Sequence, residues 1–505
     1  MRVVCLGALL AVVACSSVEP SGTGGGSSSS GGPSSSSSMG EGGGAVGGAG
    51  GQGAGGSVTP PLSDGLSVLW AKRLEAYPTP DALTVATDAT GAVLLGGRRR
   101  SAGSGPDWSA FVTKLAADGA LVWDLDIDRS EPDGSVEADA SVRDLAVDGD
   151  GNVYAAGEFR GALEVGSTSL ASVAQSTDVF VAKVSSAGAP TWATAIGNDS
   201  DSDAVSKAGL SVASDGRVAL IGAAAGDVDA GDGPVSLSWN YLASLAEGGD
   251  VVGLAEINNP NVRFPPASLD RYLALAAETG GATRALSAHR VNDYRGDEAP
   301  RLAHFDAAGA LTSAELLHLA SYAVEYRHVA FGPGARLVSV VLNQSDKPSD
   351  LGGGLVLQDF GEFVIGRDGA QAAWIKSVRA SAWEQETLEV GALAATSDGG
   401  AIVTGTFRGA VDFGGGLIQS TGYDPALPGE GPFDVFAVRI DGQGVLSWYA
   451  TFAGPGPKVA TAAAERPDGS VVIVGSAQGA LPFDEPGFSP STEYHGFVVV
   501  LGPTP

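Results

Sequence analysis

The chain has 505 residues, and 29 Lys and Arg against 58 Asp and Glu give it a formal net charge of −29. This acidity argues against a nucleic-acid partner and against a polybasic grip on anionic lipid, because both need clustered Lys and Arg. The only cysteines are Cys5 and Cys15. The rest of the chain therefore has no thiol for a disulfide, a Cys nucleophile or a Cys-ligated zinc.

The N-terminus has the pattern of a targeting segment. Residues 3–13 form an apolar stretch that is too short to span a bilayer as a stable helix. The stretch ends in Val12-Val13-Ala14-Cys15, which resembles a bacterial lipobox. The resemblance implies a lipoprotein signal peptide over residues 1–14, a lipid on Cys15 and, because Ser16 follows, sorting to the outer membrane. An ordinary secretory signal that is cleaved elsewhere is the alternative.

Residues 15–62 are predicted to be a disordered tether. They are rich in Gly and Ser and have almost no apolar side chains to bury. About 45 flexible residues reach on the order of 35–40 Å, enough to hold a folded head away from a membrane. A chance GxGxxG pattern within the tether has no strand before it and no helix after it, so we do not interpret it as a nucleotide site.

From residue 66 to residue 502 the sequence repeats. One copy reads DLAVDGDGNVYAAGEF, a loop, then DVFVAKVSSAGAPTWATAI; another reads ALAATSDGGAIVTGTF, a loop, then DVFAVRIDGQGVLSWYATF. Each copy has four short runs of alternating apolar residues, here called a to d, separated by Gly and Asp turns. Four strands per unit at a period of roughly 50–70 residues predict the blades of an all-β propeller.

The number of blades follows from the two ends of the repeat array. Six units are complete, and four of their last strands carry a tryptophan: Trp123, Trp192, Trp374 and Trp448. The seventh unit lacks strand d, while an orphan strand, LSVLWAKRL, precedes the first unit with Trp70 in the corresponding place. We predict that this N-terminal strand completes the last blade, which closes a seven-bladed ring and removes an exposed sheet edge.

The phrase Asp178-Val-Phe-Val-Ala-Lys, followed by Ala-Gly-Ala-Pro-Thr-Trp, an acidic loop and an Asp-Gly hairpin, resembles the SBBP-type bacterial β-propeller repeat. The resemblance covers residues 66–502 in period, is close in units one, two, six and seven, and is weak in units three to five. It implies an exported or surface-anchored protein and no particular chemistry. The hairpin from Asp118 to Trp123 is also similar to the docking phrase of quinoprotein-type propellers. That similarity implies two alternatives, an envelope assembly scaffold or an enzyme that uses a quinone and calcium.

The connections of the predicted blades differ in length. The a–b and c–d turns are tight and share one rim of the disc, because consecutive strands alternate in direction. The long and variable b–c and d–a connections share the other rim. Binding residues are preferentially found on long loops held by a rigid frame. We therefore predict a monomer that binds an envelope protein or a glycan through the b–c and d–a rim.

Acidic residues on that rim suggest a possible cation site. Asp199, Asp201 and Asp203 alternate in the d–a loop GNDSDSDA, and such carboxylates can converge on calcium. The Gly and the terminal bidentate Glu of a full calcium loop are missing, so a solvated acidic loop is the alternative. Asp148, Asp150 and Asn152 imitate part of a calcium loop, but their hairpin position predicts turn residues.

Other candidates are basic or aromatic. The run from Arg98 to Arg100, assigned to a b–c loop, could bind an anion, and the recurrence of Phe159-Arg160 as Phe407-Arg408 favours a packing role. Trp383, in a d–a loop, could stack on a sugar, anchor a peptide or lie against its own blade. The chain has no GxSxG, HExxH or Gly-Lys-Ser/Thr motif, and its five histidines follow no repeated spacing. The sequence thus predicts binding rather than catalysis, with no cofactor other than the possible calcium.

Overall fold

A computed structural model describes the chain from residue 62 to residue 504. Within that range it leaves out residues 64, 75–82, 101–107, 130–138, 173–175, 199–208, 224–225, 231–232, 238–239, 257–270, 279, 293–296, 318–323, 335, 345–347, 352–353, 359–360, 381–386, 415, 422–431, 455 and 484–493. The described residues form strands and turns, and no helix among them could cross a membrane.

The strands assemble into seven antiparallel sheets, each built on a blade of four strands in the order a to d from the centre of the ring outwards. Blades 1 and 2 comprise Leu83–Thr87, Val93–Arg100, Trp108–Leu115, Leu121–Arg129; and Ala140–Val147, Val153–Arg160, Thr177–Val184, Pro190–Asn198. Blades 3 and 4 comprise Gly209–Val212, Val218–Ala223, Asn240–Leu245, Val251–Glu256; and Arg271–Ala277, Thr283–Asn292, Asp297–Phe305, Leu311–Leu316. Blades 5 and 6 comprise Val324–Phe331, Arg336–Asn343, Gly361–Asp368, Gln371–Ala380; and Thr387–Ala395, Ala401–Arg408, Asp434–Ile440, Leu446–Phe452. Blade 7 comprises Lys458–Glu465, Val471–Gln478, Tyr494–Pro503 and, as strand d, Leu66–Leu74.

The seven sheets form a closed ring. Strand a of every blade contacts strand a of the next, and strand a of blade 7 contacts strand a of blade 1. The core lies between the faces of neighbouring blades, as where Val112 of blade 1 packs in one cluster with Phe159 and Phe180 of blade 2. The seven-bladed architecture predicted from the repeat is confirmed.

The predicted closing strand is also confirmed. Leu66–Leu74 pairs antiparallel with Tyr494–Pro503, with Leu66 opposite Pro503 and Leu74 opposite Gly496. The amide of Thr504 donates to the carbonyl of Gly65 at 2.8 Å, so the pairing continues one residue beyond the Leu66–Pro503 end of the ladder. The N-terminal strand thereby covers an edge that would otherwise expose unpaired backbone groups.

The a–b and c–d connections are tight turns, as predicted, and lie on one rim, here called the turn rim. In blade 1 the amide of Asp88 donates to Ala92 and the amide of Gly91 donates back to Asp88. Most of the other turns on this rim repeat this pattern, with a glycine at positive φ such as Gly119 (85°) in the c–d turn of blade 1. Most side chains would be strained at such an angle, which explains the recurrent Gly in these turns.

Ion pairs join the a–b turns to strand c. Lys114 pairs with Asp88 at 2.9 Å, and the equivalent Arg439 pairs with Asp398 at 3.3 Å. Desolvation opposes ionisation of Asp88, but hydrogen bonds from Thr90 and Lys114 outweigh it and lower the pKa of this carboxyl. The Lys or Arg of the repeated strand-c phrase therefore fastens the a–b turn of its own blade.

Four of the seven joints between blades are further secured by a strand-d tryptophan. The Trp123 indole donates to the carbonyl of Ser186 at 3.1 Å, in the c–d turn of the next blade. Its ring lies so close to Gly188 that an added Cβ there would be 2.7 Å away. Trp192 contacts Gly249 and Trp374 contacts Gly444 in the same way. The spacing of Gly and Trp in the repeat thus encodes contacts between blades.

The joint between blades 7 and 1 has the same tryptophan contact and, in addition, hydrogen bonds from a buried arginine. Trp70 of the closing strand donates to the carbonyl of Ala117 at 2.8 Å and covers Gly119. Arg466 of blade 7 is 5% exposed and donates to the carbonyls of Gly91 and Ala117 of blade 1 at 2.9 and 3.1 Å. The turn rim is therefore continuous across the point where the two ends of the chain meet.

The b–c insertions add strands that the sequence pattern did not predict. The hairpin Ala162–Val165/Thr168–Ala171 of blade 2 pairs with strand d of blade 1. The hairpins Gly226–Asp229/Pro234–Leu237 and Ala410–Asp412/Leu417–Gln419 extend blades 2 and 5 in the same manner. Ser349–Asp350/Val356–Leu357 pairs only with itself among the described residues. A groove of about 600 Å³ separates that hairpin from Phe363 and Ile375 of blade 5.

Candidate functional site

Several residues singled out from the sequence lie outside the described part of the chain. These are the lipid-attachment candidate Cys15, the calcium candidates Asp199, Asp201 and Asp203, and the loop tryptophan Trp383. Among the residues that are described, no group of three or more His, Cys, Asp or Glu is arranged to hold a metal ion. Asp148 behaves as the predicted turn residue, since its carboxylate accepts the amides of Asp150 and Asn152 at 3.0 and 2.9 Å.

The arginine run was wrongly assigned to a loop, because Arg98 to Arg100 are the last residues of strand b in blade 1. The antiparallel ladder to strand c extends as far as Arg100, so the backbone is held in the sheet. Arg98 pairs with Asp139 at 3.2 Å, and Arg99 pairs with Asp124 at 2.8 Å and also contacts Asp126. The two guanidinium groups that could bind an anion are therefore already paired with carboxylates of the chain.

The repeated Phe-Arg phrase has the packing role that its recurrence suggested. Phe159 stands edge-on to Phe180 with ring centroids 6.2 Å apart, and Phe407 stands edge-on to Phe436 at 6.3 Å. Both pairs are buried at equivalent places in blades 2 and 6. Arg408 lies over the ring of Phe433 at 4.8 Å.

The most unusual polar arrangement lies between blades 5 and 6, at the rim that carries the b–c and d–a connections, here called the loop rim. Glu325 in strand a and Glu362 in strand c are both opposite Leu342 in strand b, so their side chains share one face of the blade 5 sheet. Glu325 and Glu362, with Arg327 and Gln344, are called the 5/6 acidic cluster below.

The hydrogen bonds of the cluster leave one oxygen of Glu362 without a partner. Arg327 Nη1 donates to Glu362 Oε1 at 2.7 Å, and Gln344 Nε2 donates to Glu325 Oε2 at 3.0 Å. Glu362 is 7% exposed, yet its Oε2 has no hydrogen-bond partner among the described residues. A buried carboxylate oxygen without a partner is energetically costly, so this atom is a candidate contact for a ligand.

The electrostatics follow from this geometry. Burial raises the pKa of Glu362 to about 7, since the attraction of Arg327 offsets the loss of water only in part and the charge of Glu389 adds to the rise. The cluster therefore holds a buried carboxyl whose pKa lies near neutrality.

The joint between blades 6 and 7 shows how a buried carboxylate is neutralised elsewhere in the ring. Between blades 6 and 7, Asp434 lies 3.8 Å from Lys458 Nζ, and both side chains are buried. The ammonium also donates to the carbonyls of Gly454 and Gly456 at 2.5 and 2.9 Å. Strand a has a β-bulge between Val390 and Ala392 in blade 6 and between Ala460 and Ala462 in blade 7. Leu388 and Lys458 lie at the same distance before these bulges and are therefore equivalent. At this position the 5/6 joint therefore has a leucine in place of the ammonium of its neighbour.

Sequence reasoning missed the 5/6 acidic cluster, although one signal was available. Strand c begins Asp-Val-Phe in blades 2 and 6 but Gly-Glu-Phe in blade 5, so Glu362 replaces the apolar Val179 and Val435. A charged residue at a position that is apolar in other copies marks a departure from the packing pattern. Its position beside Glu325 depends on sheet register, which the local pattern does not contain.

No protein-family model matches the chain, and no curated protein matches it. Among solved structures, it is similar to the β-propeller domain of the Trilobed protease from Pyrococcus furiosus, with 9% identity, 74% of this chain and 95% of that chain covered, and a TM-score of 0.36. It is also similar to a protein of unknown function from Bacteroides caccae, with 12% identity, 74% and 94% covered, and a TM-score of 0.33. An α-L-arabinanase from Penicillium chrysogenum gives 12% identity, 85% and 97% covered, and a TM-score of 0.33. We draw no functional conclusion from these similarities.

Proposed function

We propose that the chain is a cell-envelope lipoprotein, held in the outer membrane through Cys15, whose propeller binds a protein or glycan partner through the loop rim. An envelope assembly scaffold is the second candidate, and it would use the same rim. The proposal favours binding over catalysis because the sequence has no motif for a nucleophile, a metal-activated water or a phosphate.

The observation that carries the proposal is the difference between the two rims. On the turn rim, short hairpins, buried ion pairs and docked tryptophans use the available polar and aromatic groups for contacts within the chain. The connections of unequal length lie on the loop rim, together with the carboxyl oxygen that has no partner in the described structure. A rigid ring with variable loops on one side is a common arrangement in binding proteins.

Site-specific photo-cross-linking of the full-length chain in cells tests this proposal. A photoreactive phenylalanine at Asp139, on the loop rim, should capture an envelope partner, whereas one at Gly149 should not. Gly149 lies on the turn rim, is exposed and has open space around its Cα. Cys15→Ser should release the same chain from the membrane fraction. Equal capture at both positions, or capture only at Gly149, would contradict the assignment of the binding face.

A further inference from the structure

Going beyond the proposed function, we propose that a groove at the loop rim of blade 5 is a binding site for a small phenol, a free molecule with one aromatic ring and one hydroxyl. The groove, here called the blade 5 groove, has a volume of about 600 Å³ and lies between the hairpin Ser349–Asp350/Val356–Leu357 and strands c and d of the same blade. Its walls include Leu355, Val356 and Gln358 of the hairpin and Phe363, Ile375 and Ser377 of the sheet.

The size and the chemistry of the groove are those of a small-molecule site. Ligand pockets usually have volumes of about 300–1,000 Å³, with mainly apolar walls and a few polar groups. Four of the side chains in the walls are apolar: Leu355, Val356, Phe363 and Ile375. Cavities lined by such side chains can bind molecules of the size of benzene. Gly354, at the edge of the groove, is exposed, so a ligand can enter from solvent.

Blade 6 indicates that an aromatic ring fits this place. Phe363 corresponds to Phe436 on strand c, and the hairpin sequence DLGGGL of residues 350–355 corresponds to DFGGGL of residues 412–417. In blade 6 the ring of Phe413 packs on the ring of Phe436, with centroids 5.0 Å apart. Blade 5 has Leu351 in place of Phe413, and Leu351 is buried. Blade 6 therefore supplies from its own hairpin a ring that blade 5 does not supply.

A second position in the wall is also smaller in blade 5. The residue of strand d that lies opposite the second residue after the strand-c phenylalanine is Tyr449 in blade 6 and Ile375 in blade 5. Tyr449 packs against the cluster that contains Phe413 and Phe436. A phenyl and a phenol ring thus pack between hairpin and sheet in blade 6, where blade 5 has a groove.

Ser377 gives the groove a polar contact. It lines the groove from strand d, and its buried Oγ has no hydrogen-bond partner among the described residues. A hydroxyl can donate and accept, so the hydroxyl of a phenol can pair with Oγ in either direction. Because a buried polar atom without a partner is energetically costly, this bond favours a phenol over a plain hydrocarbon ring.

Calorimetry of the full-length chain with p-cresol is the first test. We expect saturable binding of one molecule per chain. The control ligand is 4-methylcyclohexanol, which has the same substituents but no flat ring to pack on Phe363, and it should bind several-fold more weakly. Absence of saturable binding of p-cresol, or equal binding of both ligands, would overturn the proposal.

Two variants fill the groove from opposite walls. Ile375→Tyr gives blade 5 the residue that blade 6 has at the equivalent position, and Val356→Phe adds a ring from the hairpin. Each should weaken p-cresol binding by about tenfold or more, because the filled groove has no room for a second ring. Val252→Tyr is the matched control, since it adds a tyrosine at a position on strand d of blade 3 that is 51% exposed, and it should leave the affinity unchanged. Urea midpoints show which variants are folded.

Ser377→Ala tests the polar contact separately. The affinity for p-cresol should fall about fivefold, the effect of losing one hydrogen bond, while the affinity for toluene should not change. An equal change for both ligands would contradict a phenol as the ligand.

The remaining outcomes locate the site and the source of the ring. Unchanged p-cresol binding in both groove-filling variants would show that the ligand binds elsewhere and would overturn the site. Tighter binding of a capped Gly-Tyr-Gly peptide than of p-cresol would place the ring in a partner polypeptide and overturn the free phenol. None of these outcomes depends on whether cross-linking at Asp139 captures a partner.

Discussion

Removing residues 1–75 is expected to abolish the folded propeller. The deletion removes the closing strand, so the strand Tyr494–Pro503 loses its outer partner and blade 7 loses its link to blade 1 through Trp70. Burial of Leu66, Trp70 and Leu74 is worth roughly 1.5–3 kcal/mol for each side chain. Their sum is a large part of the about 5–15 kcal/mol by which folded proteins are stable. Urea unfolding followed by tryptophan fluorescence measures the effect.

A chain that begins at residue 60 is the matched control. It lacks the targeting segment and most of the tether but keeps Leu62 and Ser63, which pair with Ala450 and Tyr449 of blade 6. We expect its urea midpoint to equal that of the chain with an intact tether. The shorter chain should aggregate through the exposed edge of its last strand, and light scattering would detect this. A cooperative transition at the control's midpoint would refute the role given to the closing strand.

Lys458→Met is expected to destabilise the propeller by about 3–5 kcal/mol at neutral pH, because it leaves the buried Asp434 without its cation. Desolvation already raises the pKa of Asp434 and lowers that of Lys458, which shows that both charges lack water. The two backbone carbonyls that accept from Lys458 would lose their donor as well. The urea midpoint at pH 7 measures the loss.

The sign of the pH dependence in this variant follows from the same geometry. Without the ammonium, the pKa of Asp434 in the folded state lies above its value in the unfolded chain, so stability falls as pH rises and returns as pH is lowered. Lys458→Met should therefore recover between pH 7 and pH 5. Adding Asp434→Asn should recover stability at pH 7, because it removes the unpaired charge. A loss below about 1 kcal/mol, or no recovery in the double variant, would show that the pair is not buried as described.

The repeat predicted most of the strands because the residues that define the four strands of a blade lie within one repeat unit. In strand b of blade 2, Gly157 lies opposite Phe180 in strand c, and an added Cβ would come within 2.6 Å of that ring. Gly475 and Phe497 make the same pair in blade 7. Such cross-strand pairs are local, so their glycines and aromatics recur in the sequence at fixed spacing. Trp70 could be assigned to strand d for the same reason.

Contacts between different blades were harder to predict. The hairpin Ala162–Val165/Thr168–Ala171 belongs to blade 2 in sequence but extends the sheet of blade 1, and its short strands resemble an ordinary loop. Arg99 of strand b pairs with Asp124 of strand d in blade 1, although the sequence pattern had assigned the arginine run to a loop. In each case the partner is chosen by sheet register and ring closure, which short sequence patterns do not record.

The central claim is that an N-terminal strand closes the ring in one register, and a disulfide tests it most directly. An added Cβ at Gly496 would lie 3.2 Å from Leu74 Cβ, close to the separation of about 3.5–4.5 Å that a disulfide requires. In a Cys5→Ser, Cys15→Ser background, Leu74→Cys with Gly496→Cys should form an intramolecular disulfide nearly quantitatively on mild oxidation, visible by non-reducing electrophoresis and mass spectrometry. Lys72→Cys with Gly496→Cys is out of register and should not. Free thiols in the first pair, or equal bridging in both, would contradict the closed seven-bladed ring.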